Sequence, residues 1–186
     1  MSQLICKNLL VGYGGKAILD HLYFEIHAGD YLCVVGENGA GKSTTMNIMT
    51  GYIAPTDGTV RIDGHDIVKD AQEAKKCIGY LPEIPPIYPD MTVSECIQFA
   101  AEIKKVPKSE RKEQIQDIME LTGIADIGSR LIKNLSKGYK QRVGLAQAVL
   151  GYPDIIILDE PTVGLDPKQI IEIRELIRKL GEKHTV

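Results

Sequence analysis

No stretch of this chain is apolar for long enough to cross a bilayer. The longest aliphatic run is Ile155 to Leu158, against the roughly 18–20 residues a spanning helix needs. The first residues, Met1-Ser2-Gln3-Leu4-Ile5-Cys6-Lys7, carry no basic segment followed by an apolar one, so no signal peptide is expected and a cytoplasmic location is. Cysteine is scarce and scattered: Cys6, Cys33, Cys77 and Cys96 form no Cys-x-x-Cys pair and have no histidine cluster near them. This argues against a disulfide framework and a structural zinc, and buried or neutral thiols are expected. There is no excess of positive charge either. The formal net charge is −3, with acids and bases interspersed, so the basic stripe of a nucleic-acid binder is lacking and no direct nucleic-acid partner is expected. Internal repeats and low-complexity tracts are absent.

What remains is an ordinary globular composition. Apolar residues make up 44% and charged residues 25% of 186 residues, enough for one sizeable core with room for a small subdomain. The segment Leu4 to His27 reads as β-hairpin material, punctuated by Gly12, Gly14, Gly15 and Gly29. Tyr31-Leu32-Cys33-Val34-Val35 is continuously apolar, which predicts a buried parallel strand. A helix is expected from about Lys42 to Thr50, closed by Gly51, then a strand and turn over Thr59 to Gly64. A further strand over Cys77 to Leu81 is cut off by Pro82. Prolines 82, 85, 86 and 89 make an extended loop, after which Thr92 and Glu95 have the spacing of a capping box. A second helix is expected from about Ser109 to Leu121, burying Ile115, Ile118 and Met119 and ended by Gly123. Two helices in succession break the β/α alternation, so residues about 83–136 are read as an inserted helical subdomain. Residues about 1–82 and 137–186 form the β and nucleotide core of a single α/β domain. In that second part a helix ends at Gly151, Ile155 to Leu158 is a buried strand, and the last helix runs from Pro167 to about Leu180.

The chemistry is concentrated in a few short segments. Gly36-Glu37-Asn38-Gly39-Ala40-Gly41-Lys42-Ser43 fits the phosphate-binding P-loop pattern in full, between an expected strand and an expected helix. A chance match in a chain of this length is on the order of one in a hundred. The glycines let backbone N–H groups turn inward around phosphate, helped by the positive end of the following helix. Lys42 would reach the β- and γ-phosphates of ATP, and Ser43 would offer its hydroxyl to Mg²⁺, with Thr44 beside it. Ile155 to Leu158 delivers Asp159, the acid that a P-loop protein needs at the end of a neighbouring strand to hold the metal. Glu160 follows, and along an extended backbone its side chain would point away from that of Asp159, free to deprotonate an attacking water. Lys42 and Glu160 are thus the candidate catalytic residues.

Leu135-Ser136-Lys137-Gly138-Tyr139-Lys140-Gln141-Arg142 is similar to the signature motif of ATP-binding cassette (ABC) ATPases, usually Leu-Ser-Gly-Gly-Gln, with Lys137 and Tyr139 at two departures. With the P-loop and the acidic pair, the chain resembles the nucleotide-binding subunit of an ABC transporter, of an exporter-like branch. The resemblance implies a P-loop NTPase (RecA-like) core with an N-terminal antiparallel β subdomain and an inserted helical subdomain. It implies an ATPase whose cofactors are ATP and Mg²⁺. It also implies a membrane-spanning transporter subunit as partner, which would hold the chain at the inner face of the membrane. Two copies, identical or different, would pair head to tail, with Ser136 and Gly138 of one copy closing on the γ-phosphate held by the other. Tyr13 matches the aromatic residue that stacks on adenine. Glu83 stands where the family usually has a glutamine linking metal, water and partner, and Val163-Gly164-Leu165-Asp166 resembles the loop that contacts the opposing subunit. The family also places a γ-phosphate-sensing histidine after the next strand. His184 precedes that strand, so it is expected to be an exposed residue at a strand entrance. The chain is then expected to be a piece of a longer domain that binds Mg-ATP but turns it over slowly. A soluble ABC ATPase of translation or DNA repair is the alternative, disfavoured because tandem cassettes, coiled-coil arms and zinc insertions are all lacking.

Overall fold

The structure is a computed structural model that describes residues 2–13, 16–37 and 39–186, except for the side chains of residues 12, 13 and 16–19. The N-terminal hairpin forms as expected: β1 (Ser2–Tyr13) pairs antiparallel with β2 (Lys16–His27). β1 also pairs with β3 (Asp57–Ile62), and β3 with the two-residue β4 (His65–Asp66), giving a four-stranded sheet in the order β2-β1-β3-β4. Its inward-facing side chains Leu4, Cys6, Leu9, Val60 and Ile62 pack on Ile48 and Met49 of α1 (Lys42–Met49). Burial pushes the Cys6 thiol up to about 12, so it is a small neutral hydrophobe, as the scattered cysteines suggested.

β5 (Ile78–Leu81) and β6 (Ile155–Leu158) run parallel in matched register, Ile78 opposite Ile155 and Leu81 opposite Leu158. Three of the four β6 side chains are buried, each burial contributing about 1.5–3 kcal/mol over exposure. A short helix, α2 (Ala71–Lys76), absent from the sequence-based expectation, leads into β5. Gly79 lets β5 lie directly against α5 (Lys137–Val149): a β-carbon there would stand 2.3 Å from the Ala148 carbonyl oxygen. Gly79→Ala should therefore lower the unfolding free energy by about 1–3 kcal/mol, as other overpacked sites do. A urea titration superimposing on the parent's would disprove that close approach.

α3 (Val93–Ile103) starts on the expected capping box, with the Glu95 amide donating to Thr92 Oγ1 at 3.2 Å and the Thr92 amide to Glu95 Oε2 at 2.8 Å. The Thr92 amide and, with it, the Thr92 hydroxyl, which donates to the same Oε2 at 2.8 Å, hold the Glu95 carboxyl below its usual range. α4 (Lys108–Leu121) buries Ile118 and Met119 as expected, but Gln114 lies deeper than Ile115, its Oε1 accepting from the Gly151 amide at 2.9 Å. α3 and α4 share one apolar cluster with α5, β6 and α6 (Pro167–Gly181). Lys104 Nζ fastens α3 to the end of α5 through the carbonyls of Ala148 (2.9 Å) and Leu150 (2.8 Å). Among the described residues no helix is long and apolar enough to cross a membrane.

Two expectations fail. Tyr31 to Val35 is not a buried strand: it is irregular, and Val35 is 86% exposed. Among the described residues its backbone is held near Val186, with Leu32 N donating to Val186 O (2.8 Å) and, just before the segment, Asp30 O accepting from Val186 N (3.1 Å). An apolar run becomes a strand only where a neighbour satisfies its N–H and C=O groups. His184 is not exposed either. It is only 9% accessible, and its Nδ1 lies 2.6 Å from the Pro153 carbonyl oxygen. The bridge between Ile155 and Thr185 draws the chain inward there, so the residue before it turns into the protein.

Candidate functional site

The loop 36–43 leads into α1 through two left-handed glycines, Gly39 (φ 87°) and Gly41 (φ 88°), conformations that would strain any residue with a β-carbon. α1 has no side-chain cap, so the amides of its first turn are presented to whatever sits in the loop. Thr45 Oγ1 donates to the Gly41 carbonyl at 2.9 Å, and the Ala40 amide to the Glu37 carbonyl at 3.1 Å, which sets the loop's curvature. Lys42 reaches back across it, its Nζ donating to the carbonyls of Gly36 (2.7 Å) and Glu37 (2.9 Å). The ammonium is thus held over the mouth of the loop. Asn38 lies outside the described residues, as does the side chain of Tyr13.

β6 carries the acids to the same place. Asp159 is 7% exposed, its amide bonded to the Leu81 carbonyl (2.9 Å), and its Oδ1 lies 3.4 Å from Ser43 Oγ at the start of α1. Glu160 is exposed and has a left-handed backbone, φ 49°. The expected divergence of the two acids is present, one buried and one open, but it has a different cause. The strand ends at Leu158, and the unfavoured φ of Glu160, not a continued extended backbone, turns its side chain outward. Such strain persists where the surroundings over-determine it, and it gathers at functional sites. Lys42, Asp159 and Glu160 line one cavity of about 270 Å³, together with Met46, Tyr31 to Val34 and the β6 side chains.

Glu83 is exposed two residues beyond the end of β5. Because β5 and β6 are parallel and in register, their ends release Glu83 and the Asp159-Glu160 pair at the same edge. Ser136 and Gly138 are elsewhere. Ser136 caps α5, its Oγ accepting from the Tyr139 amide at 3.4 Å, and Gly138 is buried. They line a separate polar cavity of about 240 Å³ with Arg142, Gln169 and Glu172, which none of Lys42, Asp159 and Glu160 enters. One fold therefore holds the loop and the acids together, and keeps the signature-like segment apart from them.

This combination, a P-loop with its acidic pair and a separate helix opening on Ser-Lys-Gly, is matched by one family profile, ABC transporter, over residues 19–163. The chain belongs to the ABC transporter family. It carries that family's ATP-binding domain on a P-loop NTPase fold. The bacitracin transport ATP-binding protein BcrA of Bacillus licheniformis is 38% identical over all of this chain, which spans 60% of that protein's length. The linearmycin resistance ATP-binding protein LnrL of Bacillus subtilis is 31% identical over 97% of this chain and 58% of its own length. Among solved structures, an ATP-binding subunit of an ABC transporter superimposes with a TM-score of 0.87 at 29% identity, covering 99% of this chain and 77% of that one. The cbiO1 subunit of Clostridium perfringens, part of the ABC transporter complex cbiONQ, superimposes with a TM-score of 0.86 at 28% identity, over 97% of this chain and 74% of its own. The ABC chain described here thus spans about 60% of the length of these two relatives.

The sequence pattern missed two contacts of the signature-like segment. Lys137 lies against Gly164, and Gln169 of α6 covers Gly138. Nothing local announces either contact, because each joins residues that only the tertiary fold brings together.

Proposed function

We propose that this chain is the ATP-hydrolysing subunit of an ABC transporter, working from the cytoplasmic face of the membrane against a membrane-spanning partner. The observation that carries this is the division of the site: Lys42, Asp159 and Glu160 in one cavity, Ser136 and Gly138 in another. A single copy then holds half of a composite site. A second copy, identical or related, placed head to tail, would bring its Ser136 hydroxyl and the positive start of its α5 to the γ-phosphate. The names of the relatives, bacitracin transport and linearmycin resistance, favour a transporter over a soluble ATPase of translation or DNA repair.

The loop 36–43 would hold ATP, with Lys42 toward the β- and γ-phosphates, Thr44 beside Ser43, and Tyr13 as the residue that would stack on adenine. Ser43 and Asp159 offer hard oxygen donors 3.4 Å apart, a set suited to Mg²⁺, and Glu83 reaches the same edge to act through water. When bound, the metal neutralises charge on the transferring phosphoryl group. Glu160 takes the proton of the attacking water, and Asp159, buried, keeps its place. Alignment and charge stabilisation supply the rest, since phosphoryl transfer asks little covalent help of the protein.

Residues 83–136 form the partner-facing subdomain. Tyr88 and Ile103 of this subdomain and Tyr52 (82% exposed) line a groove of about 540 Å³, and Ile84, beside Glu83, is 81% exposed. Exposed apolar side chains around a concavity are what a docked partner segment would cover. ATP hydrolysis by the chain with its membrane partner should need magnesium and stop on chelation with EDTA, read as phosphate release. Hydrolysis that persists in EDTA would sink the metal assignment, and failure to co-purify with any membrane-spanning protein would sink the transporter one.

A further inference from the structure

The signature-like segment departs from the usual motif at Lys137, and that side chain has a definite position. A β-carbon built on Gly164 would stand 2.4 Å from Lys137 Nζ, 3.4 Å from its Cε and 3.6 Å from its Cδ, so the lysine lies along the loop at Gly164. The placement does nothing for the helix. Lys137 is the first residue of α5, no acid lies in that first turn, and a cation is disfavoured at the positive end of a helix. Among the described residues it joins no ion pair, whereas Arg142 on the same helix pairs with Glu172 at 2.8 Å.

Gly164 lies in the second of a pair of turns that runs from Glu160 to Leu165. The Val163 amide donates to the Glu160 carbonyl at 3.1 Å, and the Leu165 amide to the Thr162 carbonyl at 3.3 Å. Glu160 (φ 49°) is held in the left-handed region that a non-glycine residue disfavours, while Gly164 (φ 68°) accepts the same region without strain. Beyond it, Asp166 caps α6 by accepting from the Gln169 amide at 2.9 Å, and the Gln169 side chain covers Gly138. α5 and α6 are thus already tied together at Gly138 and at Arg142. The intervening loop is tied to α5 by Lys137.

We propose that Lys137 is a positioning residue for Glu160. Its side chain, resting on Gly164, fixes the two turns of 160–165 to the start of α5, and so fixes the direction in which the Glu160 carboxylate leaves β6. The signature-like segment of each copy then controls the water-activating group of that same copy. A shift of α5 when the segment engages a second copy's nucleotide moves Gly164 and, through the turns, Glu160. This rests on the assignment of Glu160 as the base.

The test is a double-mutant cycle in the full-length protein with its partner, using Lys137→Ala, Gly164→Ala and both together. Lys137 is exposed and alanine is the strongest helix former, so the first variant keeps the fold. Lys137→Ala should lower kcat about fivefold or more with ATP affinity within about twofold, as expected of a group that acts on the chemical step alone. Gly164→Ala should produce a fall at least as large, because its methyl displaces the ammonium and alanine is strained at φ 68°. The double variant should be no worse than the poorer single one, within about twofold, since both changes break one contact. Lys137→Arg, still long and cationic, should stay within about threefold of the parent in kcat. Lys137→Ala with unchanged kcat, or a double variant falling by the product of the single effects, would overturn the proposal. Glu160→Gln run alongside separates the two ideas. If it abolishes turnover while Lys137→Ala does nothing, only the role of Lys137 is lost; if it keeps turnover, the base assignment falls and this inference with it.

Discussion

Replacing Glu160 by glutamine should stop ATP turnover while leaving ATP binding intact. The substitution keeps size and shape while removing the carboxylate's charge and its ability to take a proton, so packing is held constant. Loss of a general base typically costs about 10²–10⁴-fold in the chemical step. The fold should not suffer, because Glu160 is exposed and glutamine tolerates the same backbone. Asp159, buried and bonded through its amide to Leu81, stays where it is. With hydrolysis blocked and the P-loop intact, ATP should accumulate in the closed state. Size-exclusion chromatography with ATP should then show a long-lived pair of copies, and phosphate release should fall to background. A glutamine variant that turns over ATP at the parent rate would remove Glu160 from the mechanism. A silent variant that never pairs would instead count against the head-to-tail composite site.

Lys42→Ala should act one step earlier and weaken binding itself. In the structure the ammonium spans the loop mouth, bonded to the carbonyls of Gly36 and Glu37, where an incoming phosphate would compete for it. A hydrogen bond to a charged group contributes about 1.5–3 kcal/mol, so its loss should weaken nucleotide affinity by about 10–100-fold. Titration calorimetry with ATP and with ADP separates the contacts. Weakening of both places the lysine on the β-phosphate, whereas weakening of ATP alone places it on the γ-phosphate. Lys42→Arg should not restore binding, because a planar guanidinium does not fit the point-charge position enclosed by the loop. Unchanged affinity for both nucleotides in the alanine variant would show that the loop does not bind phosphate.

Much of the site was legible because its signals are local. A P-loop needs glycines where φ is positive and a lysine where the helix begins, and Gly39, Gly41 and Lys42 stand there in sequence and in structure. Thr92 with Glu95 and Asp166 with Pro167 announce their helix starts because capping acts over three residues. The strand Ile155 to Leu158 is equally plain, since four aliphatics leave no polar face. The segment Tyr31 to Val35 carried the same apolar signal with the opposite outcome. A strand also requires backbone partners, and its side chains do not record whether those partners arrive. His184 was misplaced for a related reason: its burial depends on the Pro153 carbonyl, distant in sequence.

The sequence by itself determined that this chain carries a P-loop, an acidic pair after a buried strand and a signature-like helix start, and hence its place among ABC ATPases. Those features are short-range, written in residue type and spacing. Only the tertiary structure decided which of them share a cavity. The parallel register of β5 and β6 gathers Asp159, Glu160 and the edge near Glu83 beside the P-loop. The packing of α5 on α6 holds Ser136 and Gly138 apart, and lays Lys137 on Gly164. Such contacts join residues with no sequence relation, and they are fixed by how whole elements pack.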